Sequence, residues 1–124
     1  MAKFLFCKHC GNLAGMVKGN GETLKCCGSY MKLLEANTVN ASQEKHVPDV
    51  IKTENGINVK IGNVPHPMDE EHYIEFIYVK TLRGGQRIKL LPHTCPEADF
   101  CFINDEPLEV YSYCNIHGLW KIDI

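Results

Sequence analysis

From residue 57 onward, apolar and polar positions alternate with a period of two: Ile57, Val59 and Ile61, then Ile74, Phe76 and Tyr78, Ile88 and Leu90, Phe100 and Phe102, and Leu108, Val110 and Ser112. Successive side chains on a strand point to opposite faces, so each run predicts a short strand with one buried face. Turn-forming clusters separate the runs: Glu54-Asn55-Gly56, Gly62-Asn63, Arg83-Gly84-Gly85, and Asn104-Asp105 followed by Pro107. Strands interrupted this often predict an antiparallel sandwich, and no helical periodicity of about ten residues or more competes. Upstream the pattern changes. Ala36 to Gln43, rich in Asn, Thr, Ser and Ala, reads as a linker, and the short apolar run Met31, Leu33 and Leu34 ends or packs whatever precedes it.

At 124 residues the chain has room for one substantial core plus an appendage too small to fold by burial alone. The net charge of -2 lacks the basic excess that nucleic-acid binding requires. No apolar run approaches the ~18 residues of a membrane span, and Met1-Ala2-Lys3-Phe4-Leu5-Phe6 is too short for a secretory signal core. The expected compartment is therefore the cytoplasm, with neither nucleic acid nor membrane as partner. Cysteine usage points the same way. Seven cysteines is an odd number, and Cys26 and Cys27 are adjacent, so reduced thiolates holding metal are favoured over a disulfide framework.

The first candidate constellation is Cys7-Lys8-His9-Cys10 with Cys26-Cys27-Gly28. Four thiolates can close a tetrahedron around one ion, and glycines at 11, 15, 19, 21 and 28 permit the tight turns this requires. A segment this short needs such a staple, because metal bound only by the folded form adds directly to folding free energy. A zinc ribbon would carry a second Cys-x-x-Cys, which is missing, so the adjacent pair favours a distorted tetrathiolate site. A pair of disulfides is the competing reading. His9 reads as an exposed loop histidine, since four sulfurs already complete the shell.

The second constellation is built around the tail, where Cys114 and His117 stand three residues apart before Gly118. His46 lies in Glu44-Lys45-His46-Val47-Pro48, His66 in Val64-Pro65-His66-Pro67-Met68, and His72 follows Asp69-Glu70-Glu71. Proline beside a histidine denies it a helix and suits loops at the end of a sandwich. Singly, each histidine reads as a surface or hydrogen-bonded residue. Together, four imidazoles and one thiolate form a five-ligand set that suits iron better than structural zinc, which closes at four.

These motifs, Cys-x-x-Cys, Cys-Cys-Gly, Glu-Lys-His-Val-Pro, Val-Pro-His-Pro-Met, the histidine at 72 and Cys-Asn-x-His-Gly-Leu-Trp, resemble in order those of desulfoferrodoxin, the two-iron class of superoxide reductase. The resemblance spans nearly the whole chain. It implies a mainly β protein: a desulforedoxin-like tetrathiolate iron module, residues 1–36, followed by an immunoglobulin-like antiparallel sandwich, residues 37–124, that carries the catalytic centre. It implies two irons per chain, Fe(Cys)4 on Cys7, Cys10, Cys26 and Cys27, and Fe(His)4Cys with His46, His66, His72 and His117 in a plane and Cys114 on the axis. The activity implied is one-electron reduction of superoxide to hydrogen peroxide, with rubredoxin or a similar protein as donor and a homodimer as the working form. Lys45 is the residue expected to attract the anion and deliver a proton; its bland alternative is a solvated loop lysine. Glu44 resembles the carboxylate that takes the sixth position of the ferric resting form. Two positions depart from the family pattern: Tyr73 where tryptophan is usual, and His93 where glycine follows Pro92.

The remaining residues of note read as structural. Asp69, Glu70 and Glu71 form a solvated turn, Cys101 is a strand residue and Cys95 a loop thiol, and Trp120 packs in a core or dimer contact. Two rival functions stand beside the enzyme. One is a two-iron electron-transfer protein without catalytic role, which would gain from a closed coordination shell. The other is a zinc-stapled binding module.

Overall fold

The computed structural model describes residues 1–39 and 41–124, with the side chain of Glu44 outside the described set. It divides into two compact units, Met1–Glu35 and Ala36–Ile124. The first unit contains β1 (Phe4–Phe6), β2 (Leu13–Gly15), β3 (Lys25–Cys26), β4 (Ser29–Tyr30) and β5 (Lys32–Leu33). β1 is the middle strand of a three-stranded sheet ordered β2-β1-β5, and β3 and β4 form a separate hairpin. Among its described residues only Phe4, Leu5 and Cys7 are buried apolar groups. A core that small cannot hold the unit unaided.

The second unit begins with a single helical turn, α1 (Gln43–His46), followed by β6 (Pro48–Lys52), β7 (Gly56–Ile61), β8 (Ile74–Thr81), β9 (Gly85–Lys89), β10 (Glu97–Cys101), β11 (Pro107–Cys114) and β12 (Gly118–Asp123). The strands form two sheets, ordered β10-β7-β6 and β12-β11-β8-β9. Every pairing within them is antiparallel. Ile57, Val59, Ile61, Ala98 and Phe100 from one sheet pack with Ile74, Ile77, Val79, Val110 and Cys114 from the other, which makes the unit the sandwich the alternation predicts.

Three details depart from the sequence pattern. In β8 the core face is Ile74, Ile77 and Val79 rather than Ile74, Phe76 and Tyr78. The cause is a register shift: Tyr113 pairs with Phe76 but Cys114 pairs with Ile74, so Glu75 is an extra residue that reverses the alternation. Phe76 is buried as well, stacked on Tyr113 at 5.5 Å. Next, the supposed linker is anchored where it begins. The Asn37 backbone N–H donates to the Leu119 carbonyl (3.0 Å), its side-chain amide donates to the Lys121 carbonyl (3.1 Å), and its side-chain oxygen accepts from the Lys121 N–H (2.9 Å). Third, α1 is too short for any periodicity to announce it. Pro48 stops it after one turn, since the residue before a proline is pushed out of the helical region.

All seven cysteines are free thiols; Cys101 lies in β10 and Cys95 in the loop before it, both exposed. Among the described residues no helix is long and apolar enough to cross a membrane.

Candidate metal centres

Two groups of side chains bring their ligand atoms within 4.8 Å of one another: Cys7, Cys10, Cys26 and Cys27 in the first unit, and His46, His66, His72, Cys114 and His117 in the second. These nine residues are the ones the sequence motifs single out.

The first group is assembled by two tight turns. Gly11 adopts φ +80 and donates its N–H to the Cys7 carbonyl (2.9 Å), which folds the Cys-x-x-Cys segment back on itself. Cys26 pairs with Ser29 across a two-residue hairpin turn whose members, Cys27 and Gly28, have φ of 53 and 77. Positive φ at both positions defines a type I′ turn, and it puts the two adjacent thiols on one site. The Cys10 and Cys26 sulfurs lie 3.5 Å apart and those of Cys26 and Cys27 4.0 Å apart. Both separations are far too long for a disulfide. They bracket the ~3.8 Å edge of a tetrahedron with metal–sulfur bonds of about 2.3 Å. The electrostatics agree. Backbone N–H groups of Cys10 and then His9 draw the Cys7 thiol down to about 6, whereas the neighbouring thiols Cys10, Cys7 and Cys26 push Cys27 up to about 12. Four thiolates cannot coexist there without a cation, and the group fits a metal. Asn12, whose amide lies 3.6 Å from the Cys26 sulfur, supports the group and went unremarked in the sequence. His9 stays outside the cluster, its Nε2 3.4 Å from the Ser29 hydroxyl.

The second group gathers at one end of the sandwich. β11 and β12 are joined by a three-residue loop, Asn115-Ile116-His117, closed by Gly118 at φ +78. A three-residue hairpin loop ending on a left-handed glycine is a preferred geometry, and here it carries Cys114 at one end and His117 beside the other. Cys114 shares the inward face of β11 with Val110 and Ser112, and the β8 bulge brings Ile74 opposite it. His46 ends α1, His66 follows β7, and His72 precedes β8.

The rings close a cycle: centroids are 4.6 Å apart for His46 and His66, 4.7 Å for His66 and His72, 5.1 Å for His72 and His117, and 4.9 Å for His117 and His46. Tautomers follow from the carbonyls that face them. His46 Nδ1 lies 2.6 Å from the Ser42 carbonyl and His66 Nδ1 2.6 Å from the Pro67 carbonyl. A carbonyl only accepts, so both Nδ1 atoms carry the proton and both Nε2 atoms present lone pairs. Yet His46 Nε2 and His66 Nε2 face each other at 3.1 Å, and His117 Nδ1 faces His46 Nε2 at 3.1 Å. Two opposed lone pairs repel unless a cation sits between them. The 3.1 Å separation is near the ~3.0 Å expected for adjacent nitrogens bound at right angles to a metal at about 2.1 Å. Among the described residues His72 Nε2 is buried without a hydrogen-bond partner, which fits it as a further metal-binding atom.

Burial is the main cause that lowers His46, His66 and His72, His66 to about 4, so these imidazoles are neutral near pH 7 and available as ligands. Burial pushes the Cys114 thiol up, opposed by the backbone N–H groups of His117 and Ile116. The His117 N–H lies 3.4 Å from the Cys114 sulfur. A soft thiolate and four neutral nitrogens form a donor set suited to iron. The charge of Lys45 is among the causes that lower both His46 and His72, so its ammonium acts on this group. The side chain of Glu44 lies outside the described residues.

Two residues that the sequence presents only as packing or strand positions support this group. Trp120 stacks on His46 at 4.9 Å and 27°, and its indole N–H donates to the His117 carbonyl at 3.2 Å. The buried Ser112 hydroxyl donates to the His46 carbonyl at 2.8 Å. Trp120 lies inside the Cys-Asn-x-His-Gly-Leu-Trp motif, which is its signal; the alternation puts Ser112 on the buried face of its strand but carries no sign of its bond to His46.

The family model described as desulfoferrodoxin matches residues 38–123. A desulfoferrodoxin of Syntrophotalea carbinolica is 47% identical over 115 residues, covering 93% of this chain and 90% of that protein. A superoxide reductase of Pyrococcus horikoshii is 33% identical over 99 residues, covering 65% of this chain and 86% of that protein. The crystal structure of the superoxide reductase from Treponema pallidum superposes with a TM-score of 0.83 at 33% identity, covering 99% of each chain.

Proposed function

The chain belongs to the desulfoferrodoxin family, and its two clusters match that family's two-iron architecture; from this premise we propose that it is a superoxide reductase, converting superoxide to hydrogen peroxide at the four-histidine, one-cysteine group. The observation that carries the reading is the convergence of His46, His66, His72 and His117 with Cys114, lone pairs inward, at one end of the sandwich. In this reading residues 1–36 are the tetrathiolate iron module and residues 37–124 the catalytic domain.

Iron held by His46, His66, His72, His117 and Cys114 would supply the single electron that superoxide requires. The protein's own residues do the rest. Neutral imidazoles leave the site's positive charge uncancelled except by the Cys114 thiolate, which favours an anion as substrate. Lys45 adds a flexible positive charge that raises the local concentration of superoxide and holds a proton donor beside it. Glu44, next to Lys45 in sequence, would supply the carboxylate that replaces the product at the bound iron. The Trp120 indole and the Ser112 hydroxyl keep His46 in place. The tetrathiolate group staples a unit with few buried apolar residues. We further propose a rubredoxin-like electron donor, a homodimer and a cytoplasmic location.

Pulse radiolysis of the reduced two-iron protein tests the proposal. Superoxide should decay with formation of equimolar peroxide and oxidation of the second iron. Peroxide at half that yield would indicate dismutation, and no reaction would indicate an electron carrier; either result would overturn the proposal.

A further inference from the structure

Two of the clustered imidazoles are held by ring contacts outside the cluster: His46 by the Ser42 carbonyl and the Trp120 stack, and His66 by the Pro67 carbonyl, while His117 sits on the same short turn as Cys114. The His72 ring has no such bond at its buried nitrogen: among the described residues its Nε2 has no hydrogen-bond partner. Its placement therefore depends on how the backbone is gripped on either side.

That grip comes from Asn115. Its Nδ2 donates to the Glu71 carbonyl at 2.9 Å, and its Oδ1 accepts the Tyr73 N–H at 3.0 Å. Its own N–H donates to the Tyr73 carbonyl at 3.2 Å. One side chain thus bonds the residue before His72 and the residue after it. Asn115 is itself the first residue of the hairpin loop between Cys114 and His117. On the far side, Asp69 and His72 exchange backbone bonds of 3.0 and 3.2 Å. Asn115 is exposed and contributes nothing to the core, so packing does not explain it.

We propose that Asn115 is a positioning residue that couples the Cys114–His117 turn to His72 and so keeps the fourth imidazole on the metal. The inference rests on reading the five-residue group as an iron site and is independent of the reaction performed there. A planar amide suits the role because it offers a donor and an acceptor on one short arm. Aspartate keeps the acceptor for the Tyr73 N–H but cannot donate to the Glu71 carbonyl, and alanine loses both bonds.

The test uses the full-length two-iron protein and measures iron loss from each centre to a chelator, with the tetrathiolate iron as the reference in the same molecule. Asn115→Ala should speed loss from the second centre by about 10-fold to 100-fold, the usual cost of removing a residue that orients a ligand, and leave the tetrathiolate rate unchanged. Asn115→Asp should fall between, and being nearly isosteric it keeps the test sound where the alanine variant folds poorly. In a His72→Ala background, Asn115→Ala should change the rate by no more than about twofold, since no ligand remains for it to place. Unchanged loss in the single variants, or an equal effect in both backgrounds, would overturn the inference. A wild-type chain that takes up iron only at the tetrathiolate group would overturn the underlying reading, and the inference with it.

Discussion

Acid sensitivity of the metal-free sandwich gives a quantitative check on the site, because His66 is only 3% exposed and burial draws it down to about 4. In the unfolded chain an ordinary histidine titrates near 6.5. At pH 5 the unfolded state therefore holds the His66 proton almost fully, while the folded state holds roughly a tenth of one. Since the unfolded state binds more protons, stability falls with pH: this contribution is intact above 6.5, is lost as pH drops through 4, and amounts to about 2 kcal/mol at pH 5. Glutamine cannot titrate. The loss of unfolding free energy between pH 7.5 and 5 should thus be about 2 kcal/mol smaller in His66→Gln than in wild type. His46 and His72, lowered mainly by burial, are present in both proteins, so their burial contribution cancels in the comparison. Urea unfolding of the reduced, metal-free chain, followed by tryptophan fluorescence, measures the difference. The single tryptophan, Trp120, lies in the second unit and stacks on His46, so the signal reports that unit alone. Equal losses in the two proteins would refute the claim that His66 is held neutral by its surroundings.

Other perturbations probe other parts of the arrangement. Lys45→Ala should slow the bimolecular reaction with superoxide by about tenfold and flatten its dependence on ionic strength, both read by pulse radiolysis; an unchanged rate and salt slope would remove the steering role. Replacing Cys26 and Cys27 together by serine should cost the first unit its iron, seen by metal analysis, while superoxide reduction at the second centre persists; loss of that activity would place the chemistry elsewhere. Because burial keeps the metal-free Cys114 protonated while the buried imidazoles are already neutral, loading the second group should release about one proton per ion at pH 7. Calorimetry in buffers of different ionisation enthalpy measures this, with the tetrathiolate group already filled. Release of several protons would contradict the assigned protonation states.

Much of this protein is written in local sequence. Two-residue alternation and turn clusters suffice for an antiparallel β unit, because strand faces and turn chemistry are properties of neighbouring residues. The nine candidate ligands were also legible, since thiols and imidazoles beside glycine and proline form recognisable motifs. Tertiary structure decided what depends on distant contacts. The bulge at Glu75, which reverses the buried face of β8, arises from pairing with β11 and leaves no local trace. The helical turn that presents Lys45 and His46 is too short for a periodic signal. Asn37 is bonded to β12, 84 residues away in sequence for its Lys121 partner, so a stretch that reads as linker is part of the sandwich. The supports of the second group, Ser112 against the His46 carbonyl, Trp120 stacked on His46, and Asn115 across His72, join residues far apart along the chain. Residue identity and nearby carbonyls determine which atoms are able to bind a metal, but only the folded backbone determines which lone pairs face one another, because His46, His66 and His117 come from segments that meet only on folding.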